Sequence, residues 1–182
     1  MTAPLWSAMV GSARRHVRPQ DTLISGGAAW ADHLPEHTVL EGGSAAPELS
    51  LPAPFEGRFI GPGGSSASAA NYYHDRFSAV IGQDTLRQIG MAIDKGAVVH
   101  AQPAMAGYRG MFARNTLVAR AADSALAYTF GDVVATDSGT GNTWKQIRGE
   151  RTHVSLSRMA QSVRQSAEDA PSVRRFQVEG RL

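Results

Sequence analysis

Short apolar runs, most of them closed by glycine or proline, recur along the chain. Residues 21–25 end at Gly26-Gly27, residues 48–51 end at Pro52, and residues 124–130 end at Gly131. Residues 96–100 and 152–156 make two more such runs. None alternates cleanly between polar and apolar positions. That is the pattern of strands buried on both faces of a parallel sheet. Between the runs, apolar side chains fall at helix spacing. Tyr72, Tyr73, Phe77 and Val80 mark a helix over 69–80, and Leu86, Ile89 and Ile93 mark another over 84–95, with Asp84 placed to cap it. Residues 111–122 are rich in Ala, Leu and Arg, and shorter helices are expected over 143–148 and 159–167. Strands alternating with helices predict an α/β fold of three layers around a mostly parallel sheet of about five strands.

Composition fits that picture. The chain has 182 residues, 42% hydrophobic and 19% charged, which suits one folded domain. We place it at 1–157, with a long Gly/Ser-rich loop at 57–70 and a C-terminal helix and tail at 158–182. The net charge of +2 is too small for the footprint of a nucleic-acid binder, although Arg14, Arg15 and Arg18 cluster, as do Arg174 and Arg175. There are no cysteines, so disulfides, thiol catalysis and cysteine-zinc sites are excluded. No apolar run approaches the roughly 20 residues of a membrane span, and the first residues lack the pattern of a signal peptide. The expectation is a soluble, cytoplasmic protein.

Two loops carry the candidate chemistry. The first is Ser25-Gly26-Gly27-Ala28, running on to Asp32 and His33. A strand that enters two glycines and then a helix start offers unpaired N–H groups to an anion, and glycine lets a phosphate come close. The same residues would also serve as a plain strand-to-helix turn. The second loop is Asp137-Ser138-Gly139-Thr140-Gly141-Asn142-Thr143, again after an apolar run. It supplies hydroxyls and backbone donors, or simply a helix cap at Thr140 or Asn142. Two such loops at the carboxyl ends of parallel strands would face one crevice. Arg114 and Asn115 lie on the helix over 111–122, where a guanidinium can grip a phosphate or carboxylate with two bonds. Blandly, Arg114 pairs with an acid. His33 and His37 are four apart, but Pro35 between them and the lack of a third ligand argue against zinc, so no metal is expected. No Gly-x-Ser-x-Gly elbow occurs to anchor a hydrolase triad.

In this order the motifs resemble the Rossmann-like nucleotide-binding superfamily of the Lonely-Guy phosphoribohydrolases, the lysine-decarboxylase-like proteins and the DNA-processing protein A domain. Ser25-Gly26-Gly27-Ala28 with Asp32 is similar to the superfamily's first phosphate-side loop. Met111 to Asn115 resembles the Met-x-x-Arg-Lys segment, with Arg114 in the place of the catalytic arginine. Residues 138–142 fall where the phosphoribohydrolases have their Gly-rich loop. The resemblance covers most of residues 21–157. It implies a nucleotide or ADP-ribose-like ligand, no cofactor, and a homo-oligomer. It also implies catalytic roles for Arg114, Asp32 and Asp137 in cleaving an N-glycosidic bond.

The departures shape the expectations. Lys145 or Gln146 stands where the family's loop ends in glutamate. That favours, as the alternative, a protein that senses or sequesters a nucleotide without cleaving it. Residues 6–10 would form a first strand only five residues long, and Pro35 should kink or end the helix after Gly27. Single-stranded DNA binding or a structural assembly role ranks third, because net +2 neutralises little phosphate. Trp30 and Trp144 could stack on a ligand or fill the core.

Overall fold

The computed structural model describes residues 1–42 and 46–169. Among these, seven α-helices and five strands form an α/β protein with two parallel sheets. The first helix, α1 (Ala3–His16), replaces the strand expected over 6–10. Its signal is helical after all. Leu5, Trp6, Met9, Val10 and Ala13 are all buried and recur at helix spacing. Thr2 caps the first turn, and a proline sits within it, where its missing N–H costs nothing.

Strand β1 (Ile24–Ser25) is only two residues long. It leads through a 3-10 turn (Trp30–His33) into α2 (Leu34–Leu40). Pro35 therefore occupies the first turn of α2 rather than breaking a longer helix, a position that proline tolerates. Strand β2 (Glu48–Leu51) matches its expected span and stops at Pro52. Part of the expected 57–70 loop is helix instead. Ser65 accepts the N–H of Ser68 and starts α3 (Ser66–Ile81), which Gly82 ends in the left-handed conformation. Asp84 caps α4 (Thr85–Asp94) as expected.

Strand β3 (Val98–Ala101) pairs with β2, and β2 with β1, all parallel. The sheet order β1-β2-β3 puts β3 at an edge, and every residue of it is exposed. The apolar look of Val98 and Val99 suggested burial on both faces; position at the edge overrides it. The chain continues through α5 (Arg109–Ala121) to β4 (Ser124–Thr129), α6 (Gly139–Trp144), β5 (Glu150–Ser155) and α7 (Leu156–Glu168). Strands β4 and β5 pair in parallel over their full six residues, Ser124 opposite Glu150 through Thr129 opposite Ser155. The helix expected over 143–148 begins at Gly139 because Ser138, not Thr140 or Asn142, is its cap. The tail expected beyond α7, with Arg174 and Arg175, lies outside the described residues.

Two apolar clusters hold the elements together. One gathers α1, Leu34, Phe77, Tyr128 and Leu156; Met159 and Ala160 of α7 pack against it. The other gathers Leu49 and Leu51 of β2 with Phe59, Ala67, Leu86 and Ile89. Phe77 is fully buried and meets the rings of Trp6 and Trp30 at 4.9 and 4.7 Å. Trp30 thus belongs to the core. Trp144 lies 5.6 Å beneath the Arg151 guanidinium. Among the described residues, no helix is long and apolar enough to cross a membrane.

Candidate functional site

The residues after β1 fold around a single carboxylate. Asp32 reaches back from the 3-10 turn, and its Oδ1 accepts the Gly26 N–H at 3.0 Å. Its Oδ2 accepts the Ala28 N–H at 3.0 Å and Arg114 Nη1 at 2.5 Å. The Arg114 side chain is 9% exposed and that of Asp32 30%, so the guanidinium is enclosed while the carboxylate keeps an open side. Gly26 makes this approach possible. A Cβ there would lie 2.1 Å from Arg114 Nη1 and 2.7 Å from Asp32 Oδ2.

The neighbouring residue on α5 turns to the second loop. Asn115 Nδ2 donates to the Gly139 carbonyl at 3.2 Å. Arg114 and Asn115 therefore tie the two Gly-rich loops to one helix. The second loop is capped by Ser138, whose Oγ accepts the Gly141 N–H at 2.9 Å and donates to Ala135 O at 2.8 Å. Gly139 and Thr140 stand exposed at its tip, and Asn142 is held by Gln146. Asp137 is exposed, and no described hydrogen bond or ion pair brings it to Arg114 or Asp32.

The glycines of this loop do different work. A Cβ on Gly141 would lie 2.0 Å from the Ala135 carbonyl oxygen, which is backbone and cannot step aside. A Cβ on Gly139 meets nothing nearer than Asn115 Nδ2 at 4.0 Å. Gly141→Ala is expected to lower stability by roughly 1–3 kcal/mol, as overpacking does. Gly139→Ala should unfold at the wild-type denaturant midpoint. Urea titration of both variants checks the contrast.

Behind the first loop lies a polar core that sequence reading missed. Ser25 Oγ is within 2.8 Å of the Asp32 carbonyl and 2.7 Å of Glu36 Oε1, and it accepts the Gly27 N–H at 2.9 Å. A serine has one hydroxyl hydrogen, and a carbonyl can only accept. Ser25 cannot donate to both oxygens at once, and a protonated Glu36 carboxyl that donates to Ser25 Oγ is the arrangement that satisfies all three contacts. Burial of Glu36 pushes its pKa from 4.5 to about 8, with the nearby Asp32 charge adding to the rise. The hydrogen bond with Ser25 opposes that rise and does not reverse it.

His74, fully buried on α3, holds the loop from the other side. Its Nε2 lies 3.2 Å from Gly27 O and its Nδ1 2.9 Å from Thr85 Oγ1. The carbonyl fixes a proton on Nε2 and leaves Nδ1 to pair with the Thr85 hydroxyl, and burial lowers the pKa of the ring. His33 is fully buried and faces inward, 2.7 Å from Gln88 Oε1. Burial and the nearby His74 drive its pKa down to about 3. Among the described residues, no group of three or more His, Asp or Glu side chains is placed to hold a metal ion.

The loop after β1 is thus pinned at Gly26, Gly27 and Ala28, and α5 joins it to the loop that opens α6. The chain is 36% identical over 138 residues to an uncharacterized protein of Acanthamoeba polyphaga mimivirus, covering 74% of this chain and 71% of that one. It belongs to the same family as that viral protein. No family model and no solved structure matches it.

Proposed function

We propose that the crevice between the two Gly-rich loops binds a nucleotide or ADP-ribose-like ligand. One observation carries the reading. Consecutive residues of α5, Arg114 and Asn115, bond to the two loops separately, so both loops present their small residues beside one helix. The same observation supports a finer reading of the fold. The two sheets are halves of one Rossmann-like, three-layer sheet in the order β3-β2-β1-β4-β5. In that order the crevice falls where the strand direction of build-up reverses, the usual ligand site of open α/β sheets. The motifs that resemble the phosphoribohydrolase and DNA-processing superfamily are the ones that line this place.

In the catalytic form of this reading, Asp32 faces the ribose and stabilises the positive charge that develops at its anomeric carbon. Arg114 keeps the Asp32 carboxylate in position. Asp137, exposed and without a partner among the described residues, and Lys145 or Gln146 in place of a loop glutamate favour the second reading, binding without cleavage. A thermal-shift panel of nucleoside monophosphates and ADP-ribose tests both at once, since a ligand of the native state raises the melting temperature. The expected outcome is an upward shift that Gly139→Ala diminishes. Recovery of free base then marks an enzyme, and recovery of intact ligand marks a sensor or store. No shift from any member of the panel would remove the proposal. Assembly into a homo-oligomer and a cytoplasmic setting complete the proposal; light scattering tests the first.

A further inference from the structure

We infer that the first loop takes an uncharged, hydroxyl-bearing part of the ligand, and that the ligand's phosphate lies elsewhere. The inference rests on the nucleotide reading and narrows it. Gly26 N–H, Ala28 N–H and the Arg114 guanidinium converge on one point, the constellation that ordinarily cradles a phosphate. Here the point is already filled by an anion of the chain itself. Asp32 uses both carboxylate oxygens to take the two amides and Nη1 of the guanidinium, whose Nε turns to the Met111 carbonyl. The loop's other amide with a described partner, Gly27 N–H, is taken by Ser25 Oγ.

A phosphate brought to this loop would have to displace Asp32 or sit against it. Displacement would strip the guanidinium of the partner it is enclosed with. Sitting beside it would set a dianion against a carboxylate that already holds both loop amides. The lone pairs tell what fits instead. A carboxylate has about four acceptor sites. Oδ2 has two donors and Oδ1 has one, which leaves one acceptor site on Oδ1. The side chain keeps an open side at 30% exposure. A sugar hydroxyl donates one hydrogen and carries no charge, so it satisfies that site. A cation is a poorer match, because Arg114 already balances the carboxylate.

Inorganic phosphate is the probe that decides the matter. Amide resonances of Gly26 and Ala28 are followed in the wild-type chain and in Asp32→Ala and Asp32→Asn. In the wild type, phosphate should leave both amides unmoved. In Asp32→Ala, with the internal anion gone and three donors freed, phosphate should shift both amides. It should bind at least roughly ten-fold more tightly than to the wild type, the equivalent of one charge-assisted contact. Asp32→Asn keeps the side-chain volume and serves the same comparison if the alanine variant fails to fold. Phosphate shifting Gly26 and Ala28 in the wild type would overturn the inference. So would a folded Asp32 variant that gains no affinity for phosphate. Nucleoside monophosphates that move neither loop would defeat the crevice reading, while the phosphate result would still decide this one.

Discussion

Arg114→Ala is expected to weaken nucleotide binding by at least ten-fold and to lower stability as well. The two effects have one cause. The guanidinium is enclosed, and its partner Asp32 is two-thirds covered, so deleting one leaves the other without its counter-charge. Removing one member of a buried pair costs about 3–5 kcal/mol, and the open side of Asp32 reduces that to roughly 1–3 kcal/mol here. With Arg114 gone, Asp32 keeps only the two amides of its own loop, and the loop loses its tie to α5. Arg114→Lys should recover part of the stability and less of the affinity, because an ammonium cannot hold Asp32 and the Met111 carbonyl together from fixed positions as the guanidinium does. A double-mutant cycle isolates the pair. In the Asp32→Ala background, Arg114→Ala should cost much less than in the wild type. Denaturant midpoints and nucleotide affinity, measured on all four chains, check both parts.

The second large effect is on pH. Glu36 has a native pKa of about 8 against an ordinary 4.5. Between those values the native state holds a proton that the unfolded state has released. Its contribution to stability therefore falls as pH rises from 4.5 to 8, with a slope approaching about 1.4 kcal/mol per pH unit. His33 acts in the opposite sense. Its native pKa of about 3 lies below the ordinary 6.5, so the unfolded state binds the extra proton in that window. Stability is lost as pH falls from 6.5 toward 3, and the lowered pKa values of His74 and His37 add to that loss. The slopes of Glu36 and His33 oppose each other between 4.5 and 6.5. The expected profile peaks near 6.5 and declines on both sides. Glu36→Gln still donates to Ser25 but cannot ionise, so it should flatten the alkaline limb and exceed the wild type in stability at pH 8. Melting temperatures of both chains across pH 5 to 9 check this. A Glu36→Gln profile that keeps the alkaline decline would place its cause elsewhere.

These two groups also show what was legible in the sequence. Local signals were read well where chemistry is local. Pro52 closes β2 at its expected end, and Asp84 caps α4. Apolar character alone misled where the neighbours decide. The buried face of α1 has the apolar content of a short strand, and the exposed edge strand β3 has that of a core strand. The candidate loops were visible because glycines and small residues after apolar runs are a local pattern. Their internal wiring was not. Arg114 meets Asp32 across 82 positions, and Ser25 meets Glu36 across eleven. Glu36 in particular sits in the first turn of α2, where an acid ordinarily faces solvent and favours the helix dipole. Nothing in the sequence distinguishes that role from a neutral, buried proton donor; only packing against β1 does. His74 was one of six histidines, and its hold on Gly27 depends on α3 lying over the loop.

The central claim is that the loops after β1 and β4 form one crevice for a nucleotide. An amide-resonance titration of the full chain with adenosine monophosphate tests it most directly. The prediction is that Gly26, Gly27, Gly139 and Thr140 shift together, on one saturation curve, and that Arg114→Ala abolishes the curve while the rest of the spectrum stays folded. Shifts confined to one loop, or a saturable set of shifts centred away from both, would contradict the account.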